Sequence, residues 1–92
     1  MPDEPWRLSI TPPAQRDIAS WLPAAVAHAC LDHIEQAVLV NPRRVGKPLR
    51  WELAGVWSAR RGDCRILYEI DEPRRTVVLL RIAHRRDAYR RP

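Results

Sequence analysis

Residues 56–83, VWSARRGDCRILYEIDEPRRTVVLLRIA, read as three strands in succession. In Cys64–Ile70 the residues Cys64, Ile66, Tyr68 and Ile70 alternate with Arg65, Leu67 and Glu69. That period of two places the first set on one sheet face and the second on the other. Val56–Arg61 precedes this strand across Arg61-Gly62-Asp63, and Thr76–Ala83 follows it across Asp71-Glu72-Pro73-Arg74. Both connections carry turn-forming residues, so the three strands form a meander. Val77–Leu80 is apolar at every position, as expected of a central strand covered on both sides. Helices are expected over the Cys64–Ile66–Tyr68–Ile70 face, with the opposite face partly open.

The helices come earlier in the chain. Trp6, Leu8 and Ile10 alternate with Arg7 and Ser9, which predicts a short opening strand. Thr11-Pro12 then reads as N-cap and first position of a helix, whose Ala14, Ile18, Trp21 and Leu22 recur at helical spacing before Pro23. From Pro23, Val26, Ala27, Cys30, Leu31, Ile34, Ala37 and Val38 mark one face of a second helix. His28, Asp32, His33, Glu35 and Gln36 mark the other, until Asn41-Pro42. Residues 41–50, NPRRVGKPLR, hold two prolines and a glycine and read as an irregular connection. The expected architecture is an α+β fold in the order β-α-α-β-β-β. A helical hairpin packs on a small, mostly antiparallel sheet, followed by a polar C-terminal segment, and 1–92 make one domain.

No apolar run approaches the ~18 residues of a spanning helix, and MPDEPWRLSI has neither the basic nor the apolar region of a secretory signal. A soluble, cytoplasmic protein is expected, without membrane association. Cys30 and Cys64 have no CxxC spacing and read as apolar fillers. Trp6, Trp21, Trp51 and Trp57 read as core or edge packing. His28 and His33 lie five apart on a helix, a spacing that points them in different directions, so neither metal nor cofactor is expected.

Charge is unevenly placed. Residues 1–42 carry two basic against five acidic residues, whereas residues 43–92 carry fourteen against six. Lys47 is the one lysine; every other cation is arginine, whose planar fork matches phosphate oxygens. A polyanionic partner is the leading implication, and genome base composition with simple solubility is the bland alternative. On the expected sheet, Arg60, Arg61, Arg65 and the tail cations converge near one end to form a phosphate-binding concavity.

The runs NPRRVGKPLR, LAGVWSARRGDCRILYEID and IAHRRDAYR, in this order, resemble the RelE branch of the RelE/ParE toxin superfamily across nearly the whole chain. The resemblance implies a type II toxin that enters the ribosomal A site and cleaves mRNA there, with the RNA's own 2′-hydroxyl as nucleophile and no metal. It implies a cognate RelB-like antitoxin, acidic or amphipathic, forming a hetero-oligomer with the toxin and carrying any contact with operator DNA. Residue by residue, Arg65 matches the family's sheet arginine, assigned to the scissile phosphate. Arg85 matches the second catalytic arginine, and Tyr89 matches the C-terminal tyrosine that stacks on or orients a base. His84 is the histidine in this cluster and is assigned as general acid or base, the role for which histidine is the commonest side chain. Arg43, Arg44, Lys47, Arg50, Arg60, Arg61 and Arg86 are expected to touch RNA.

The best-known family pattern carries lysines in the strand before the sheet arginine; Val56–Arg61 has Ser58, Arg60 and Arg61 there. Either His84 takes over proton transfer, or Arg60 and Arg61 only grip RNA and turnover is slow. Each site residue also has a plainer reading. Arg65 would pair with Glu69 or Asp63, His84 would be an ordinary strand-end histidine, and Tyr89 would pack under the tail. A ParE-type inhibitor of DNA gyrase is the alternative on the same fold, and a weakly active or non-toxic member is a third reading.

Overall fold

The computed structural model describes residues 5–84; Arg85, Arg86 and Tyr89 lie outside the described residues. Strand β1 (Arg7–Ile10) leads into helix α1 (Pro12–Arg16), which continues as a π-helical turn over Asp17–Trp21. Helix α2 (Ala24–His33) continues likewise over Ile34–Val38. A short helix α3 (Pro42–Val45) and a two-residue strand β2 (Lys47–Pro48) follow. A 3₁₀ turn (Trp51–Leu53) then leads to the strands β3 (Trp57–Arg61), β4 (Cys64–Asp71) and β5 (Thr76–His84). The meander and helical hairpin expected from the sequence are present. The two-residue β2 and the short α3 lie inside the stretch that reads as irregular.

The sheet order is β1-β5-β4-β3-β2, with β1 parallel to β5 and the other pairs antiparallel. β3 and β4 close around Gly62-Asp63, and Gly62 has φ +60°, the conformation a II′-type hairpin requires of its first central residue. One face packs on the helices. Ala59, Cys64, Ile66, Tyr68, Val77, Leu79 and Ile82 form a single buried cluster with Ala14, Leu22, Ala27, Cys30, Ile34 and Val38. Cys30 and Cys64 are buried in it as free thiols.

β5 shows where simple alternation fails. Leu67 stands opposite Arg81 while the next residue, Tyr68, stands opposite Leu79, so Leu80 is an extra residue in the ladder. This bulge lets Leu79 and Ile82, three apart, face the same core. It corrects the expectation that Val77–Leu80 is covered on both sides, since Val78 and Leu80 are only half-buried.

β1 ends at Ile10, and the start of the helical hairpin satisfies the edge of β5 beyond it. The N-cap Thr11 donates its hydroxyl to the carbonyl of Leu79 at 2.8 Å. Asp17 is 2% exposed and accepts from the backbone N–H of Ile82 at 2.9 Å. It also accepts a side-on fork from Arg81, Nε at 2.8 Å and Nη2 at 3.0 Å. Sheet edges with unpaired groups are otherwise liabilities.

Tyr68 ties the sheet to α3. Its buried hydroxyl donates to the carbonyl of Pro42 at 2.6 Å, and a Cβ on Gly46 would stand 2.1 Å from that oxygen. Burial pushes the Tyr68 pKa up to about 12, against the opposing effect of the Gly46 backbone N–H. Tyr68→Phe should cost about 1–3 kcal/mol, since it leaves the Pro42 carbonyl buried without a donor. The unfolded tyrosine ionises near pH 10 and the folded one near 12. The wild type's advantage is therefore whole below pH 10 and declines as pH rises through 12. Urea melts of both proteins at pH 8 and pH 11 check this, with the gap narrowing at the higher pH.

Two tryptophans depart from the expected packing. Trp6 is buried and Trp57 packs partly against the core, but Trp21 is 62% and Trp51 85% exposed. Trp21 falls on the π-helical turn, where the 3.6-residue spacing that would carry it to the core no longer holds.

Candidate functional site

Directly paired residues of a sheet project to the same side, so the register decides which cations meet. Arg60 pairs with Arg65, and Arg65 with Ala83, on the face away from the helices. One step further from the β3–β4 turn lies the row Lys47, Ser58, Leu67 and Arg81. The open face therefore carries Arg60 and Arg65 side by side, with Lys47 and Arg81 flanking the next row.

At the turn end this face sinks into a concavity of ≈ 370 Å³ to which Arg60, Arg65 and His84 contribute. Ala83 beside Arg65 has only a methyl group, which leaves the space open, and Gly62-Asp63 closes the end. Arg60 and Arg65 rise from the open face, whereas His84, paired with Cys64, stands in the row of Arg61 and lines the hollow from the end of β5. Among the described residues Arg65 forms no ion pair, so the pairing with Glu69 or Asp63 considered from the sequence is not made. Such an arrangement can hold a phosphate between two forks.

The other expected RNA contacts scatter. Arg61 pairs with Cys64 and so faces the helix side. There its charge, together with burial as the larger cause, lowers the pKa of His33, whose Nε2 is buried without a hydrogen-bond partner. The expectation that Arg61 converges with Arg60 and Arg65 is thus corrected: adjacent residues of one strand alternate faces. Arg43 pairs with Glu72 and lies 5.9 Å from the Trp6 ring. Glu72 follows the far end of β4, about 23 Å from the concavity at a strand's rise per residue. Arg44 on α3 and Arg50 before the 3₁₀ turn are exposed. Arg85, Arg86 and Tyr89 follow β5, outside the described residues.

Arg81 was not among the residues singled out from the sequence. Its signal is the charge that interrupts the apolar run from Val77 to Ala83. Its partner Asp17, 64 positions away, has no local signal. The Asp17 hydrogen bonds raise the Arg81 pKa further above its ordinary value, and the side-on fork leaves Nη1 uncommitted to Asp17.

Residues 8–89 match the family described as ParE toxin of type II toxin–antitoxin system, parDE. The chain belongs to this family. The toxin is 44% identical to Toxin RelE of Mycobacterium tuberculosis over 88 residues, covering 96% of this chain and 90% of that protein. It is 47% identical to Toxin RelG of the same organism over 87 residues, covering 95% and 99%. Its fold matches the crystal structure of the toxin–antitoxin complex RelBE2 from Mycobacterium tuberculosis with a TM-score of 0.84. The identity there is 46%, and the match covers 88% of this toxin and 92% of the matched chain. It is a type II toxin of the RelE/ParE superfamily, as the sequence resemblance implied. Among the described residues, no helix is long and apolar enough to cross a membrane.

Proposed function

We propose that this toxin is a ribosome-dependent mRNA endonuclease acting in the cytoplasm, inhibiting translation by cutting mRNA in the ribosomal A site. The observation that carries the reading is the pairing of Arg60 with Arg65 on the open face, at a hollow that the end of β5 also lines. The toxin's 44% and 47% identity to proteins named Toxin RelE and Toxin RelG supports it. In this mechanism a base takes the proton of the RNA 2′-hydroxyl, and O2′ attacks the adjacent phosphorus. The bond to the 5′-oxygen then breaks as that oxygen receives a proton. Arg65, with Arg85 from the segment that follows β5, stabilises the charge growing on the phosphate. His84 exchanges protons as general acid or base, and Tyr89 stacks on a base beside the cut. Arg60 and Lys47 hold flanking phosphates, and Arg43, Arg44, Arg50, Arg61 and Arg86 make peripheral RNA contacts.

The similarity to the RelBE2 complex supports a cognate RelB-like antitoxin as partner, joined in a hetero-oligomer and carrying any operator contact. A second reading, ParE-type gyrase inhibition, is favoured by the description of the matching family. Fold alone does not separate the two. Purified toxin is expected to fragment a translated mRNA in a cell-free reaction and to spare the same RNA without ribosomes. It should also leave gyrase supercoiling unchanged; intact mRNA together with blocked supercoiling would replace this proposal with the second reading.

A further inference from the structure

Four described residues have clearly positive φ: Gly55, Gly62, Arg75 and Trp51. Glycine meets that requirement without strain at the first two, whereas a bulky side chain there is an outlier that persists only where something compensates it. For Arg75, φ +49°, the compensation is visible, since its guanidinium stacks 4.8 Å over the Trp6 ring. For Trp51, φ +63°, it is not: the ring is 85% exposed and covers none of the core. Folding has therefore placed one of the chain's four indoles in water on a strained backbone, where glycine would fit with less strain.

We propose that Trp51 is a stacking platform for an unpaired RNA base. This rests on the RNA-directed reading above and names a contact outside the Arg60–Arg65–His84 hollow. Trp51 lies in the loop between β2 and β3, closed at its base by the Leu49 N–H donating to the Val56 carbonyl. Val56 is four residues before Arg60, about 13 Å along a strand. Lys47, on the same open face as Arg60 and Arg65, lies between loop and hollow, and Arg50 precedes the ring. A cationic track with an exposed aromatic at one end is the arrangement that grips single strands: cations follow the phosphates and the ring takes a base. Glu52 is the one carboxylate within the 3₁₀ turn, and the surrounding charge still favours a polyanion over an acidic peptide. A base splayed onto Trp51 also covers the ring that the fold leaves wet.

Three proteins test this: wild type, Trp51→Gly, which removes both ring and strain, and Trp51→Phe, which keeps a ring. Binding is measured to a single-stranded oligoribonucleotide blocked by a 2′-O-methyl group at the cut, and to ribosomes programmed with the same RNA. Trp51→Gly should melt at or above the wild-type temperature, so lost binding does not report unfolding. It should weaken binding by about 5- to 100-fold, the range of one lost base stack, with Trp51→Phe retaining most of the affinity. A loss in both arms places the base in the message, and a loss only on ribosomes places it in ribosomal RNA. Equal affinities of wild type and Trp51→Gly in both arms would overturn the proposal while leaving the endonuclease reading intact. Failure of the wild type to bind either target would sink that reading itself. Weakened capture of the cognate antitoxin with unchanged RNA binding would reassign Trp51 to a protein interface.

Discussion

Arg65→Ala is expected to lower mRNA cleavage by about 10²–10³-fold, the usual cost of removing one preorganised donor from a developing oxyanion. Stability should stay within about 0.5 kcal/mol of wild type, because Arg65 is exposed and forms no ion pair among the described residues. The two effects together locate the loss in chemistry. Arg65→Lys keeps the charge but not the fork, so its activity should fall between wild type and Arg65→Ala. Single-turnover cleavage on programmed ribosomes, beside thermal melts of all three proteins, measures both quantities. A melting point lowered in step with activity would mean that Arg65 holds the sheet and not the phosphate. Growth arrest should be lost in the same variant and in Arg85→Ala.

The largest loss of stability is expected at Asp17. Its carboxylate serves Ile82 N–H and both arms of the Arg81 fork while almost wholly buried. Asp17→Ala leaves a buried strand-edge N–H without an acceptor and a cation without its partner. Breaking a fully buried pair costs about 3–5 kcal/mol. Half of the Arg81 side chain reaches solvent, so about 2–4 kcal/mol is the fitting range here. For a chain of this size that lowers Tm by on the order of 10–20 °C. Asp17→Asn keeps an acceptor for Ile82 and should recover part of the loss. A Tm for Asp17→Ala within a few degrees of wild type would show that the edge of β5 is held elsewhere. Because β5 ends at His84, the same substitution should loosen the hollow.

Much of this architecture is written in local pattern. The alternation in Cys64–Ile70, the turn at Gly62-Asp63 and the Thr11-Pro12 helix start each depend on neighbours a few residues away, and each is present as expected. The features that escaped depend on distant partners. β2 has two residues and exists only because Lys47 and Pro48 meet Ser58 and Trp57 across the chain. The bulge at Leu80 answers to the register of β4, and the parallel seat of β1 beside β5 to residues about 70 positions away. Asp17 reads locally as one more helix carboxylate until β5 arrives beside it.

The site was legible to a similar degree. His84 stands in the row of Cys64, while Arg60 and Arg65 do meet on the open face, since the β3–β4 hairpin pairs them. Arg61 does not, although the period of two that placed Arg65 opposite Ile66 in facing also separates Arg61 from Arg60. The exposure of Trp51 follows from a left-handed backbone that no spacing rule reveals.

One measurement decides most directly between mRNA and gyrase as the toxin's target. The toxin and its Arg65→Ala variant are induced in a bacterial host, and new 5′ ends are mapped on a translated and an untranslated copy of one transcript. Cuts confined to the translated copy and absent with Arg65→Ala are the predicted result. Growth arrest without cuts in either copy, accompanied by DNA damage, would contradict it and make gyrase the target.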